Sequence, residues 1–401
     1  MGLRGKVGTT SPLWQGKRGW LLGFIAMTWF FMIGVRLVVP ALLPFIADDF
    51  GLGLTAAGLL VTILYGVYAL GQFPGGLLGD RIGERNTLVL STALSAAAVG
   101  LLTVPLGLPA FVLGLILFGL GSAMYSPTRL TVLSDVFPER DGTAIGFTLA
   151  AGNAGNTVLP ALAGLVAATY AWQFGFGLTL PFFVLAVVGL WWAVPRVTSQ
   201  RMEFDAASWE FVRRVASTLT RRSVFTIAMV LLLNNFIWQA LTGIYPTYLV
   251  TAKGLTESTA ALLFGLFFGW GIAVQLASGT LGDRFGAKRS LVAVFVVAIL
   301  SLVLLPLVDG LVALFLVTLG LSSILGFSPI VFPYLNAELP DDIQGSGLGL
   351  IRSIYMTIAA VGPVLMGALG EAGWFDEAFF ILVAVAVVSL GFALLMPPRE
   401  R

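Results

Sequence analysis

The sequence predicts an all-α membrane protein in which twelve transmembrane helices form two six-helix bundles related by a pseudo-twofold axis. Three observations support this prediction: the composition, twelve apolar stretches of membrane-spanning length, and an internal repeat. The 401 residues are 58% hydrophobic and 10% charged, and the mean hydropathy is +0.97. A water-soluble core of this size could not bury so much apolar surface, so the composition indicates a lipid environment.

The apolar stretches have the length of transmembrane helices, because a bilayer core of about 30 Å requires about 20 apolar residues in a helix. The first is too long for the core of a signal peptide, and we interpret it as a membrane helix. The twelve helices are predicted at 20–46, 55–78, 87–106, 109–133, 143–168, 174–195, 223–251, 258–281, 289–309, 311–336, 346–371 and 376–397.

The distribution of positive charge predicts the topology. Of the 22 Lys and Arg residues, 18 lie in the two termini and in the loops that follow even-numbered helices, counting Arg289 at the start of the ninth helix, whereas the opposite loops contain only Lys253. Because Lys and Arg are retained in cytoplasmic loops, we expect a multi-pass protein of the cytoplasmic (inner) membrane with both termini in the cytoplasm. A net charge of +2, distributed in this way, does not favour nucleic-acid binding.

An internal repeat divides the chain into two similar parts. Asp80 and Asp283 lie 203 positions apart in matching segments, and further pairs keep that distance to within one residue. The repeat predicts two structural copies in parallel orientation, with a substrate site between them near the middle of the membrane. We predict an N-terminal bundle at 1–195, a cytoplasmic linker with a basic amphipathic helix at 196–222, and a C-terminal bundle at 223–401.

The loop after the second predicted helix contains a motif that recurs in the second half. The first copy consists of Gly76, Asp80, Arg81, Gly83 and Arg85. The second copy consists of Gly279, Asp283, Arg284, Gly286 and Lys288. Both copies resemble the loop signature of the major facilitator superfamily, and the resemblance covers essentially the whole chain. It implies the fold of that family and a secondary transporter that works by alternating access.

The resemblance also implies a gating role for this motif. In the family, the loop is understood to lock the halves together when the central cavity opens outward, assisted by an acid at the end of the fourth helix. Asp135 stands at the matching position, and Glu338 is its counterpart in the second half. Glu84 and Ala287 stand where the family usually has a basic residue, so we expect each latch to lack one charge contact.

Three arginines, Arg36, Arg129 and Arg352, lie inside predicted membrane helices. A charge facing lipid costs at least about 2.5 kcal/mol, so such residues normally face a wet cavity or a partner. Arg36 is the deepest, and no carboxylate lies at a comparable depth. It could bind an anionic substrate, bond to carbonyl groups or act in gating. Arg129 could reach the cavity or pair with Asp135 or Asp80, and we expect Arg352 to extend toward the cytoplasm or join a latch.

Polar residues on two further helices are candidates for a cavity wall. The fifth helix contains Asn153 and Asn156, and the seventh has a stripe of polar and aromatic side chains at helical spacing. The stripe consists of Asn235, Trp238, Gln239, Thr242 and Tyr245. A stripe of this kind fits the wall of a binding cavity, and hydrogen bonding between helices is the alternative interpretation.

The composition also limits the chemistry. With no Cys and no His, thiol, zinc and imidazole chemistry are excluded, and no nucleophile with its base is found, so we predict no enzyme, no catalytic residues, no metal and no cofactor. We expect a monomer that transports a small solute, most plausibly an anion, with or without a coupling ion. The alternative is an exporter of a neutral or hydrophobic compound.

Overall fold

The computed structural model describes residues 16–196, 213, 217–338 and 344–396, except for the side chains of Asp80, Asp283, Pro333, Asn336, Ala337 and residues 344–348. Twelve helices in it are long and apolar enough to cross a membrane, which confirms the predicted number. Most of the predicted linker helix lies outside the described residues. We refer to residues 16–196 as the N-terminal half and residues 217–396 as the C-terminal half.

The first five helices of the N-terminal half are continuous: Gly16–Asp49, Leu54–Ile82, Glu84–Thr103, Leu108–Val136 and Asp141–Thr169. The sixth consists of two segments, Trp172–Gly177 and Leu180–Ala193. A proline, Pro181, stands at the start of the second segment. Because proline has no N–H to donate, it fits the beginning of a helix and not its interior.

The C-terminal half begins with three continuous helices, Arg222–Thr251, Glu257–Phe285 and Ala287–Leu307. The tenth helix has two α-helical parts, Leu311–Leu321 and Ser328–Glu338, separated by the 3₁₀ segment Ser322–Phe327. The eleventh helix is divided into Gln344–Ala359 and Gly362–Glu371, and the twelfth is Phe375–Leu395. Pro363 starts the second part of the eleventh helix, as Pro181 does in the sixth.

Glycine determines the shape of the two motif loops. Gly83 is the single residue between the second and third helices, and Gly286 separates the eighth and ninth; their φ angles are 85° and 83°. Because side chains rarely tolerate this conformation, glycine is required at both turns. Glu84 then begins the third helix, where a negative charge interacts favourably with the helix dipole. This position explains why an acid is tolerated where the family usually has a base.

Close glycine contacts hold the first and fifth helices together. Gly34 lies against Gly155, and Gly152 lies against the Trp29 ring. A Cβ atom on Gly155 would collide with the carbonyl oxygen of Phe30. The two backbones therefore approach as closely as they do only because these residues lack side chains.

The two halves meet at the end of the molecule that is remote from the motif loops, which we call the closed end. There the second helix packs on the eleventh, where Gly58 contacts Pro363, and the fifth packs on the eighth, where Gly164 contacts Ala261. Hydrogen bonds between described residues of the two halves lie at this end or near the middle of the helices. They join Thr55 to Glu371, Thr62 to Val364, and Gln72 to Met356.

The helix contact at Gly155 leads to a stability prediction. Gly155→Ala should lower the melting temperature of the purified protein by several degrees, because overpacking typically costs about 1–3 kcal/mol. Gly146→Ala is the matched control on the same helix, since a Cβ there meets no atom within 4 Å. The melting temperatures are measured by thermal unfolding. Equal values for the two variants would contradict the close contact at Gly155.

Candidate functional site

Both halves contribute to a cluster of charges around Tyr68 on the second helix. The guanidinium carbon of Arg36 lies 4.4 Å from the centre of the Tyr68 ring. Arg352, from the other half, is within electrostatic range of Tyr68, and Arg129 is within range of both Tyr68 and Arg352. We call these four residues the arginine cluster. The expectation that Arg352 extends toward the cytoplasm or joins a latch stays a prediction.

None of the described carboxylates balances the charges of the arginine cluster. Among the described side chains, no Asp or Glu oxygen lies within 4.0 Å of the three guanidinium groups. Each of the three has a buried Nε atom with no hydrogen-bond partner. Asp135, one of the expected partners of Arg129, is exposed, and the Asp80 side chain lies outside the described residues. The cluster is thus a site of concentrated positive charge.

Arg129 is fixed by its neighbours, whereas Arg36 is not. The Arg129 guanidinium donates a hydrogen bond to Thr148 and lies 4.0 Å from the centre of the Trp29 ring. That ring stacks on Tyr125 at 6.2 Å, and the Tyr125 hydroxyl donates to the carbonyl oxygen of Ile25. Cation–π contact and a hydrogen bond therefore hold Arg129 between the first, fourth and fifth helices. Of these two kinds of interaction, Arg36 has a cation–π contact, with the Tyr68 ring.

The fifth helix turns its two predicted asparagines toward the interior. Gly152 and Gly155 pack on the first helix, and Leu162 and Leu165 are exposed on the lipid side. At 3.6 residues per turn, Asn153 and Asn156 lie opposite those leucines. The Oδ1 atom of Asn156 is buried without a hydrogen-bond partner.

The predicted stripe on the seventh helix separates into two groups. Asn235 and Trp238 are partly exposed, and the Trp238 ring stacks on Tyr65 of the other half with centroids 6.0 Å apart. Gln239, Thr242 and Tyr245 are buried and form hydrogen bonds within and between helices. The Gln239 amide donates to Asn235 Oδ1 and to the Met356 carbonyl, at 2.7 and 3.1 Å.

The other two residues of the buried group also have partners. The Thr242 hydroxyl donates to the carbonyl oxygen of Trp238 at 2.7 Å. The Tyr245 hydroxyl shares a hydrogen bond of 2.7 Å with Thr318 of the tenth helix. The buried part of the stripe therefore matches the alternative interpretation, hydrogen bonding that holds helices together.

The last basic residue of each motif copy binds the end of a helix in its own half. Arg85 donates to the carbonyl oxygen of Trp191 and lies 4.3 Å from the centre of that ring. Lys288 Nζ donates to the carbonyl oxygen of Leu394 at 3.0 Å. Trp191 and Leu394 are separated by 394 − 191 = 203 positions, as are Arg85 and Lys288. These contacts satisfy carbonyls at the ends of the sixth and twelfth helices.

The remaining gating candidates have other surroundings. Arg81 and Arg284 are exposed, while the side chains of Asp80 and Asp283 lie outside the described residues. Gly76 and Gly279 each have a proline of the neighbouring helix as their nearest contact. Glu338 accepts a hydrogen bond of 2.6 Å from the hydroxyl of Ser223, in its own half. The gating role of these residues stays a prediction.

The aromatic residues of the second helix were not among the predicted site residues. Tyr65 and Tyr68 contact Trp238 and Arg36, so they connect the candidate residues of different helices. Their spacing, together with Gln72, is helical and would place all three on one face. A polar face on an otherwise apolar helix was the sequence pattern that could have identified these residues.

Two bundles of membrane-spanning helices around a buried, charged site define a membrane transporter. The model of the Major Facilitator Superfamily matches residues 24–360 and 227–401. The chain belongs to this superfamily and is a secondary transporter, whose members bind small-molecule substrates within the membrane.

Known proteins of this superfamily are similar over most of their length. A hexuronate transporter of Bacillus subtilis (strain 168) is 25% identical over 375 residues, which is 86% of each chain. A putative multidrug resistance protein, MdtD of Enterobacter sp. (strain 638), is 23% identical over 87% of this chain and 86% of its own. A bacterial homolog of the human lysosomal transporter Spinster has the same fold, with a TM-score of 0.78, 14% identity and coverage of 95% and 97%.

The different surroundings of Arg129 and Arg36 predict different effects on stability. Arg129→Gln should lower the melting temperature, since a charged hydrogen bond and a cation–π contact are together worth about 2–4 kcal/mol. Arg36→Gln should leave the melting temperature unchanged or raise it, because it removes a buried charge that has no counter-ion. Both variants lose one positive charge, so each is the control for the other in thermal unfolding. An equal loss of stability in both would contradict this assignment.

Proposed function

We propose that the protein transports a small anion across the cytoplasmic membrane by alternating access, with the arginine cluster as the anion-binding site. The observation that carries the proposal is that the buried Arg36 guanidinium lies against the Tyr68 ring, with Arg352 of the other half in electrostatic range of the same ring and no carboxylate among the described side chains within 4.0 Å. Uncompensated charge in a low-dielectric interior is costly, and an anionic substrate would relieve that cost.

Arg36 is the best candidate for the direct substrate contact. It is buried, 8% exposed, and its Nε atom has no hydrogen-bond partner. A guanidinium group presents paired N–H donors that match a carboxylate or phosphate group. Arg352 reaches the same place from the other half, and the partly exposed Asn153, Asn156, Asn235 and Trp238 would line the remainder of the site. The relative named as a hexuronate transporter supports an anionic substrate, since hexuronates are carboxylates.

The loop charges support an orientation with both termini in the cytoplasm. The closed end would then face outward, and the described conformation would be open toward the cytoplasm. In this orientation the motif loops, with Asp135 and Glu338, are the gate that closes in the opposite conformation. One chain supplies both halves of the site, which supports function as a monomer.

A second candidate function is export of a neutral or hydrophobic compound. Aromatic rings of both halves surround the site: Trp29 lies under Arg129, and Tyr65 stacks on Trp238. Such rings could bind an apolar solute, and a relative is named as a putative multidrug resistance protein. Anion transport and export of a neutral compound would use the same two halves and would differ only in the substrate.

The orientation can be tested with single cysteines, because the chain has none of its own. Ala252→Cys, at the closed end, should react in intact cells with a maleimide that cannot cross membranes. Glu139→Cys, exposed between the fourth and fifth helices, should react only after the cells are permeabilised. The reverse pattern would show that the positive loops face outward.

Transport in proteoliposomes tests the role of Arg36. For an anion that the wild-type protein accumulates, Arg36→Ala should raise the half-saturating concentration roughly 10- to 100-fold, the effect of losing a charged hydrogen bond. Arg36→Lys should recover only part of the loss, because an ammonium group lacks the paired donors. If both variants transport as well as the wild-type protein, Arg36 does not bind the substrate.

A ligand panel distinguishes the two candidate functions. Carboxylates and phosphate esters should raise the melting temperature of the wild-type protein but not of Arg36→Gln, whereas their neutral analogues should have no effect on either. Stabilisation by neutral or hydrophobic compounds, equal in wild-type protein and Arg36→Gln, would instead support export of such compounds.

A further inference from the structure

Glu371, the last residue of the eleventh helix, reaches across to the other half at the closed end. Its Oε2 atom accepts a hydrogen bond from the backbone N–H of Thr55, at a distance of 2.8 Å. Thr55 lies in the first turn of the second helix, which begins at Leu54. A carboxylate of the C-terminal half thus binds the start of a helix in the N-terminal half.

The second helix has no cap of its own at this position. Its N-cap residue is Gly53, which has no side chain to accept a hydrogen bond. The first four N–H groups of a helix have no partner within the helix, and a nearby negative charge also interacts favourably with the helix dipole. The Glu371 carboxylate therefore supplies from the other half the cap that an Asp or Ser would supply locally.

Glycine at position 53 gives the carboxylate access to the helix start. A Cβ atom on Gly53 would lie 2.7 Å from Oε1 of Glu371. The backbone of Gly53, with φ −68° and ψ 167°, is one that any residue can adopt. Glycine at position 53 therefore leaves space for Glu371, and its backbone flexibility is not required.

The contact belongs to an interface that must separate during transport. Along the same two helices, the Val364 N–H donates to the Thr62 hydroxyl at 3.2 Å, and Gly367 lies against the carbonyl oxygen of Leu54. These contacts can form only while the closed end is shut. When that end opens, the Glu371 carboxylate and the Thr55 N–H must part and both be hydrated.

We propose that Glu371 is a conformational latch that stabilises the closed end by capping the second helix from the other half. The proposal rests on the alternating access of the proposed function and is independent of the substrate. Three other acids at this end bind elsewhere: Asp309 pairs with Lys253 at 3.2 Å, Asp49 accepts a hydrogen bond from Trp172, and Asp376 accepts one from Tyr248. The Glu371 carboxylate instead binds the helix start in the other half.

The latch can be tested without a substrate by measuring a distance across the closed end. Spin labels on Tyr170→Cys and Ala252→Cys, one in each half, report its opening by double electron–electron resonance, and the chain has no cysteine of its own that would be labelled. In the full-length protein, Glu371→Gln should raise the ratio of the long-distance to the short-distance population roughly two- to fivefold, the factor expected for a charge at a helix terminus. Gln is close in size to Glu, so the fold should be kept.

Two further variants make the test specific. Gly53→Ala keeps the charge but displaces the carboxylate, so it should give the same increase, and the double variant with Glu371→Gln should add nothing to either single variant. Glu377→Gln is the matched control, because Glu377 is an exposed acid in the first turn of the twelfth helix at the same end. Distances in Glu371→Gln equal to those in Glu377→Gln, or additive effects in the double variant, would overturn the proposal. The distance measurements do not depend on Arg36 or on an anion. Failure of the proposed anion site would therefore leave the test of the latch unchanged.

Discussion

Burial of positive charge, with no counter-ion among the described side chains, is the constraint on which the rest of the structure depends. Three guanidinium groups inside an apolar helical protein are costly unless water, aromatic faces or a ligand replaces their hydration. The protein meets the cost differently for two of these groups: Arg129 has the Trp29 ring and the Thr148 hydroxyl, whereas Arg36 has the Tyr68 ring. Of these two charges, Arg36 is the less compensated and has more to gain from an incoming anion.

The fold could be predicted from the sequence because its main determinants are local or repeated. A run of apolar residues as long as the bilayer is thick specifies a helix, whatever its neighbours. The breaks at Pro181 and Pro363 were not predicted, because proline is tolerated inside other membrane helices of this chain, such as Pro160 in the fifth. Whether a proline ends a helix depends on the helices packed around it.

The site was less predictable, since it depends on the register between helices that are distant in sequence. The depth of Arg36 could be read from its position in the first helix, but its partner Tyr68 lies on the second, and Arg352 arrives from the other half. The loop motif shows the same limit. The contacts that Arg85 and Lys288 make with helix ends in their own halves were not predicted, and the latch between the halves stays a prediction. The repeat predicts that the two motif copies make equivalent contacts, but it does not predict which atoms they contact.

The same two helices connect the charged site to the closed end. The second helix supplies Tyr68 to the arginine cluster and Thr55 to the contact with Glu371, while the eleventh supplies Arg352 and Glu371. An anion bound between Arg36 and Arg352 would act on the eleventh helix directly, and on the second helix through the contact between Arg36 and Tyr68. The eleventh helix is divided between Ala359 and Gly362, between its two functional residues. Element ends of this kind are where hinges lie in proteins that change conformation, so the break separates the segment that bears Arg352 from the segment that packs at the closed end.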